Sequence, residues 1–161
     1  MTLHNPSIRL ADVSDADTLT QMQIDFGAEF GSHEPPFEIL LPRFRRLLDD
    51  EPAAFALLAG PRLATQGYAV VTLRPTVYCD GPLAVLDELY VRPEVRGNGI
   101  GTALLTTAVR ETRRRGGGEM HINVDEIDID ARRFYERHGF FNIEPGTDYR
   151  MLCYIREFAG D

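Results

Sequence analysis

The chain contains no lysine, so its 17 basic residues other than histidine are all arginine. That alone removes a P-loop of the form G-x-x-x-x-G-K-[ST] from consideration. Only two cysteines occur, Cys79 and Cys153, widely spaced and in no metal or redox motif, so reduced thiols in a cytosol are the expectation. The four histidines are scattered without a zinc-ligand pair, and no metal site is expected. No apolar run approaches the roughly 18 residues of a membrane span. Met1 to Ser7 lacks the basic and apolar regions of a secretory signal. A cytoplasmic protein with no membrane partner is therefore expected. A net charge of −8 argues against nonspecific nucleic-acid binding and is compatible with a cationic substrate. There are no repeats, no low-complexity segment and no linker. A length of 161 residues then predicts one domain over 1–161.

What is present is concentrated in residues 91 to 105, VRPEVRGNGIGTALL. This stretch reads as the end of a strand, a Gly-rich turn and the first turns of a helix. Arg96-Gly97-Asn98-Gly99-Ile100-Gly101 enters an apolar helical pattern without an acidic side chain. A helix N-terminus offers unpaired N–H groups and partial positive charge, a natural seat for phosphate. Gly97, Gly99 and Gly101 let a phosphate approach the backbone, and Arg96 adds a fork of donors. The glycines give G-x-G-x-G, which is not the G-x-G-x-x-G dinucleotide fingerprint.

Around it the pattern alternates between strand and helix. Ser7 to Ala11 reads as a strand, and Ser14-Asp15-Ala16-Asp17 as N-cap chemistry for a helix through about Ala28. Gly31 to Pro36 breaks that helix. Phe37 to Leu48 resumes helical spacing, with Pro42 as an imperfection. Ala53 to Ala59, Gly67 to Leu73 and Leu83 to Val91 read as strands. The helix from Gly99 to about Arg115 should bury Ile100, Leu104, Leu105, Ala108 and Val109. Arg113 to Arg115 complement the dipole at its end. Glu119 to Val124 is a further strand, and Asp130 should cap a helix ended by Gly139 as the C′ residue. Phe140 would then fold back on Phe134 or Tyr135, and Ile127, Ala131 and Phe134 would form the apolar face. Phe140 to Ile143 and Arg150 to Phe158 should close the sheet.

Arg96-x-x-Gly99-x-Gly101, preceded by Leu89-Tyr90-Val91 and Arg92-Pro93, resembles the acyl-CoA pyrophosphate signature of the GNAT superfamily of N-acetyltransferases. A second block, Ala131 to Phe140, is similar to the helix after the fifth strand in that superfamily. The resemblance is strong over residues 83 to 141 and weak in the amino-terminal third. It implies an α/β fold with a mixed, mostly antiparallel central sheet flanked by helices, and a cofactor cleft between the fourth and fifth strands. It also implies acetyl-CoA as acyl donor, held by Arg96, Gly97, Asn98, Gly99, Ile100, Gly101 and Thr102. Backbone groups of Leu89, Tyr90 and Val91 would meet the pantetheine arm, and Asn123 would hydrogen-bond substrate or cofactor.

Direct acetyl transfer to a primary amine of a small molecule or peptide needs two proton movements. Periodicity leaves Tyr135 open between core packing and catalysis; the resemblance makes it the acid that protonates the leaving thiolate. For the base, Asp87 and Glu88 precede the pantetheine segment, and strand alternation puts them on opposite faces unless a bulge intervenes. By that parity Asp87 interrupts the row Leu83, Val85, Leu89 and Val91, while Glu88 sits with Ala84, Leu86 and Tyr90. Glu88 is favoured, Asp87 follows closely, and Asp125 and Glu126 are third choices. Neither cysteine lies in the matched motifs, so no covalent route is placed. Asp25 to Phe37 and Asn142 to Tyr149 mix acids (Asp25, Glu29, Glu34, Glu144, Asp148) with aromatics (Phe26, Phe30, Phe37, Tyr149), a chemistry suited to a cationic acceptor. A noncatalytic acyl-CoA-binding sensor or partner-binding module is the rival reading, and a homodimer is compatible with either.

Overall fold

The computed structural model describes residues 6–50 and 52–158; of the Met1 to Ser7 segment, residues 1–5 lie outside them. The chain forms two compact units, Met1–Ile122 and Asn123–Asp161. The first holds a five-stranded sheet in the order β1 (Ile8–Leu10), β2 (Ala54–Ala59), β3 (Gly67–Arg74), β4 (Leu83–Val91) and β5 (Glu119–His121). Neighbours are antiparallel except β4 and β5, which run parallel. The mixed, mostly antiparallel sheet is the one expected.

Helices cover both faces because the central strands are apolar on both. Every residue of β2 is buried. On one face Ala56, Leu58, Tyr68, Val70 and Tyr90 pack against Ala16, Leu19 and Met22 of α1 (Ala16–Phe30) and Phe44 and Leu48 of α2 (Phe37–Asp49). Side chains of opposite parity face α3 (Ile100–Arg114). A β-carbon on Gly67 would touch Leu104 at 3.2 Å, and Arg115 stacks on Phe55 at 4.9 Å. Ile100, Leu104, Leu105 and Ala108 are buried as expected, but Val109 is 37% exposed, rotated off the stripe towards solvent.

Local chemistry sets the helix ends. Asp15, within the stretch Ser14 to Asp17, is the N-cap residue of α1 but makes no side-chain bond to that helix; the side-chain cap instead closes a single 3-10 turn, Val13–Asp15, just before it. Asp12 accepts from the Ser14 amide at 2.8 Å, and Asp15 reaches back to the Asp12 amide at 3.0 Å. Asp15 also takes a two-pronged bond from Arg9, with both contacts at 2.7 Å. Pro42 sits inside α2, where it removes a single backbone bond and the helix continues.

The second unit contains α4 (Ile129–Arg137). Its cap is Asp128, accepting from the Ala131 amide at 3.0 Å, rather than Asp130, which lies inside the first turn. Gly139 has φ 89, and the Phe140 amide bonds the Tyr135 carbonyl at 3.1 Å, the expected left-handed termination. Phe140 folds back edge-on to Tyr135, with ring centroids 5.6 Å apart. Ile127 precedes the helix and is 88% exposed, so it is no part of an apolar face.

Three strand expectations fail, those for Glu119 to Val124, Phe140 to Ile143 and Arg150 to Phe158; of Phe140 to Ile143 only Ile143 takes part in an isolated bridge. β5 ends at His121 instead of Val124. The Arg150 to Phe158 segment forms one bridge, Ile143 to Arg150, and no strand. Its apolar pattern suits a strand, but a strand exists only where a neighbour supplies the ladder.

Candidate active site

The site in the first unit starts from an irregularity in β4. Leu86 pairs with Val71 and Glu88 with Val70, leaving Asp87 as an extra residue without a partner on β3. This is a β-bulge, and it moves every later residue of β4 to the other face. Leu86 shares the α3 face with Val71, whereas Glu88 and Tyr90 share the α1/α2 face with Val70 and Tyr68. Glu88 therefore does not sit with Ala84 and Leu86, as simple alternation had it. Asp87 accepts a hydrogen bond from Thr72 Oγ1 at 2.7 Å, and Thr72 shares the parity of Val70. Both acids thus face the helices α1 and α2.

Glu88 is half-buried, and its pKa is pushed up to about 7. Burial is the main cause, followed by the negative charge of Glu34, with Asp87 adding a smaller push; the Gln23 side chain opposes them by favouring the charged form. A carboxylate poised near neutral pH takes up a proton readily there. Burial likewise pushes up the Tyr68 phenol, whose hydroxyl donates to Gln23 Oε1 at 2.6 Å.

The far end of β4 leads into the Gly-rich turn. β5 pairs with β4 only over Leu83 to Val85, so among the described strands the outer edge from Leu86 to Val91 has no neighbour. Leu89, Tyr90 and Val91 lie on that edge. Beyond them, Gly97 and Gly99 adopt φ of 78 and 79, conformations that favour glycine, and no heavy atom stands within 4 Å of a β-carbon built at either. The first intrahelical bond of α3 runs from the Ala103 amide to the Gly99 carbonyl at 3.0 Å. The amides of Gly99, Ile100 and Gly101 precede that ladder, and no acid occupies the first turn. Thr102 is exposed on the same turn. Asn98 braces the loop, donating to the Val95 and Arg96 carbonyls at 3.0 and 3.3 Å. An open, acid-free backbone cradle at a helix N-terminus suits phosphate.

The arginines are held elsewhere. Arg96 grips Glu29 of α1 with two bonds, at 2.7 and 2.8 Å, and its Nε donates to the Val91 carbonyl at 2.8 Å. Arg92 bonds Asp25 at 3.0 Å. Asp25 and Glu29, grouped by sequence with the acceptor acids, thus hold the end of α1 to the loop before α3. Asp25 to Phe30 is helical, and only residues 31 to 36 separate α1 from α2. At the other end of α3, Arg114 and Arg115 both bond Glu111, whose pKa is pulled down to about 2 by these bonds.

In the second unit Tyr135 is 8% exposed, edge-on to Phe134 at 5.1 Å as well as to Phe140. Asn123 is exposed. Asp125 and Glu126 precede α4, and Glu126 pairs with Arg150. Glu144 and Asp148 lie in a turn in which the Thr147 amide bonds the Glu144 carbonyl at 3.0 Å. Cys79 and Cys153 are free and exposed, and no cluster of metal-ligating side chains occurs among the described residues. Gln23 escaped the sequence reading. Its only signal was a polar residue on the buried stripe of α1.

The bulged fourth strand, its unpaired edge and the acid-free turn into α3 form the candidate site. The chain belongs to the acetyltransferase (GNAT) family, whose model matches residues 17–140. It is 31% identical over 150 residues to the aminoglycoside N(6')-acetyltransferase type 1 of Stenotrophomonas maltophilia, covering 91% of this chain and 93% of that protein. A presumed acetyltransferase from Arthrobacter sp. FB24 has a solved structure that superposes with a TM-score of 0.88 at 47% identity, covering 94% of this chain and 96% of that one. An aminoglycoside acetyltransferase from an uncultured soil metagenomic sample, solved with sisomicin, shares the fold with a TM-score of 0.76 at 20% identity, over 96% of this chain and 97% of that one.

Proposed function

We propose that this protein transfers an acetyl group from acetyl-CoA directly to a primary amine of a small cationic molecule, with Glu88 as base and Tyr135 as acid. The observation that carries the reading is the bulge at Asp87, which turns Glu88 onto the α1/α2 face where burial and a second carboxylate keep it protonatable near neutral pH. Acetyl-CoA, when bound, supplies the acetyl group as a thioester and departs as a thiol. The amides of residues 97 to 102 hold its phosphates, with Asn98 bracing the loop and Arg96 fixing it to α1. The β4 edge from Leu89 to Val91 offers backbone groups to the pantetheine arm, and Asn123 offers an amide.

The acceptor arrives as an ammonium ion. Glu88 takes one proton from it, freeing the nitrogen lone pair to form the C–N bond. As the C–S bond breaks, the Tyr135 hydroxyl protonates the departing sulfur; the second proton lost by the acylated nitrogen restores Tyr135, and the proton on Glu88 passes to solvent. Glu34, Asp87 and Glu88 favour a cationic acceptor over a neutral one. The Stenotrophomonas relative acts by name on aminoglycosides, and polycationic amino sugars are accordingly the first acceptor class to test.

The test measures thiol released from acetyl-CoA with a panel of aminoglycosides, polyamines, small monoamines and peptides. Turnover with polyamino acceptors, exceeding that with monoamines, is expected. Tight coenzyme A binding without turnover on any amine would replace the enzyme by an acyl-CoA-binding sensor.

A further inference from the structure

Glu34 lies in the turn between α1 and α2, and α1 passes directly beneath its side chain. The crossing is at Gly27. A β-carbon there would stand 2.1 Å from Glu34 Cγ and 2.9 Å from its Cδ and Oε1, inside any real contact distance. Gly27 is helical, buried and not in a positive-φ conformation, so backbone freedom does not explain it. Alanine would favour the helix over glycine. What glycine provides is a notch, and the Glu34 side chain fills it.

Across the notch both carboxylate oxygens are engaged. Ser32 Oγ donates to Oε1 at 3.0 Å, and Gln23 Nε2 donates to Oε2 at 3.4 Å. The Gln23 carbonyl oxygen is committed to the Tyr68 hydroxyl at 2.6 Å, a buried phenol that keeps its proton. That bond turns the Gln23 N–H groups towards the carboxylates. The groups facing Glu88 are therefore Glu34 from the turn, Tyr68 from β3, Asp87 and Tyr90 from β4, and the neutral Gln23 amide from α1.

We propose that Glu34, seated in the Gly27 notch and tied by Gln23, is a positioning residue for Glu88: it places a second negative charge beside the base, while the shared amide orients both carboxylates towards the acceptor. This rests on Glu88 being the base. Its effect is to keep Glu88 a strong enough base to accept a proton from an ammonium ion, since a lone carboxylate at its ordinary value would release that proton too easily.

The test compares Glu34→Gln and Gly27→Ala with the wild-type protein. The Glu88 side-chain carboxyl is followed by ¹³C NMR titration of the free protein, its signal assigned by its loss in Glu88→Gln. The pH profile of kcat/KM is recorded with the best acceptor of the amine panel. Glu34→Gln should lower the Glu88 midpoint by roughly one pH unit and move the acidic limb of the profile the same way. Gly27→Ala, which expels Glu34 without removing it, should shift both in the same direction by less while keeping the fold. A Glu88 midpoint unchanged in both variants overturns the role of Glu34. A midpoint that moves while the acidic limb stays in place, in these variants and in Glu88→Gln alike, overturns Glu88 as the base and the positioning role with it.

Discussion

At the Glu88 carboxyl, the base proposed above, the demands of folding and of the proposed chemistry pull in opposite directions. Its pKa in the folded protein, about 7, lies above the ordinary carboxylate value of 4.5. Its contribution to stability is therefore complete below pH 4.5 and lost as the pH rises through 7. Glu88→Gln keeps the shape and stays neutral, so it should melt roughly 3–6 °C above the wild type at pH 8 and close to it at pH 5. A calorimetric scan at the two pH values checks this; a variant no more stable at pH 8 would mean that the carboxylate is well solvated. Tyr135→Phe is the complementary change. It keeps the ring that packs against Phe134 and Phe140 and deletes one hydroxyl. Turnover should fall by about 100- to 10,000-fold with little change in melting temperature or coenzyme A affinity. Unchanged turnover would leave Tyr135 a packing residue. The clue to the bulge was visible in the chain as Asp87, an acid in an apolar row. Alternation alone could not convert it, because one extra residue reverses the face of all that follow.

At the scale of elements, glycine and proline did most of the marking. Strand β4 begins and ends where its flanking Gly-Pro and Arg-Pro pairs place it, and α3 starts directly after the Gly-rich turn. The failures share a cause, which is that local pattern says nothing of available partners. Asp130 and Asp128 are equally good caps by composition, and backbone geometry selects Asp128. The segment after Arg150 alternates well enough for a strand, yet among the described residues only one bridge meets it. Gln23 and Glu34 stand 11 residues apart, and only the fold brings their side chains together. At the Gly-rich turn, the proposed phosphate seat, Gly99→Glu should abolish coenzyme A binding by setting negative charge where phosphate would sit. Because φ there is 79, a further cost of about 1–2 kcal/mol in stability is expected from the backbone alone. Gly99→Asn, more tolerant of that conformation and uncharged, provides the control for the backbone effect. A wild-type thermal shift with coenzyme A in Gly99→Glu would move the phosphate site elsewhere.

Over the whole molecule, a net charge of −8 would act on the two proposed substrates with opposite sign. Long-range repulsion would slow the proposed anionic acyl donor, while attraction would draw in a polycationic acceptor, and salt would weaken both. Raising ionic strength should therefore increase kcat/KM for acetyl-CoA and decrease it for a polyamine acceptor. Initial rates over a series of sodium chloride concentrations separate the two, with one substrate held saturating at a time. Parallel responses would show that local charges outweigh the global field. This balance was legible from composition, whereas the use of Asp25 and Glu29 as tethers for Arg92 and Arg96 was not, since those pairs are 67 residues apart in sequence.

The bulge also makes position 87 an insertion in the literal sense. Asp87 has no counterpart on β3, and the residues on either side of it already oppose adjacent partners, Val71 and Val70. Deleting Asp87 would close the ladder without shifting the register of Glu88, Leu89, Tyr90 or Val91. A one-residue deletion within a central strand ordinarily inverts half of it and unfolds the protein. Here the shortened chain is expected to fold, with a circular dichroism spectrum close to that of the parent, and to lose activity through a straighter β4 edge. A deletion mutant that fails to fold would show that the irregularity is needed to build the sheet as well as to aim its carboxylates.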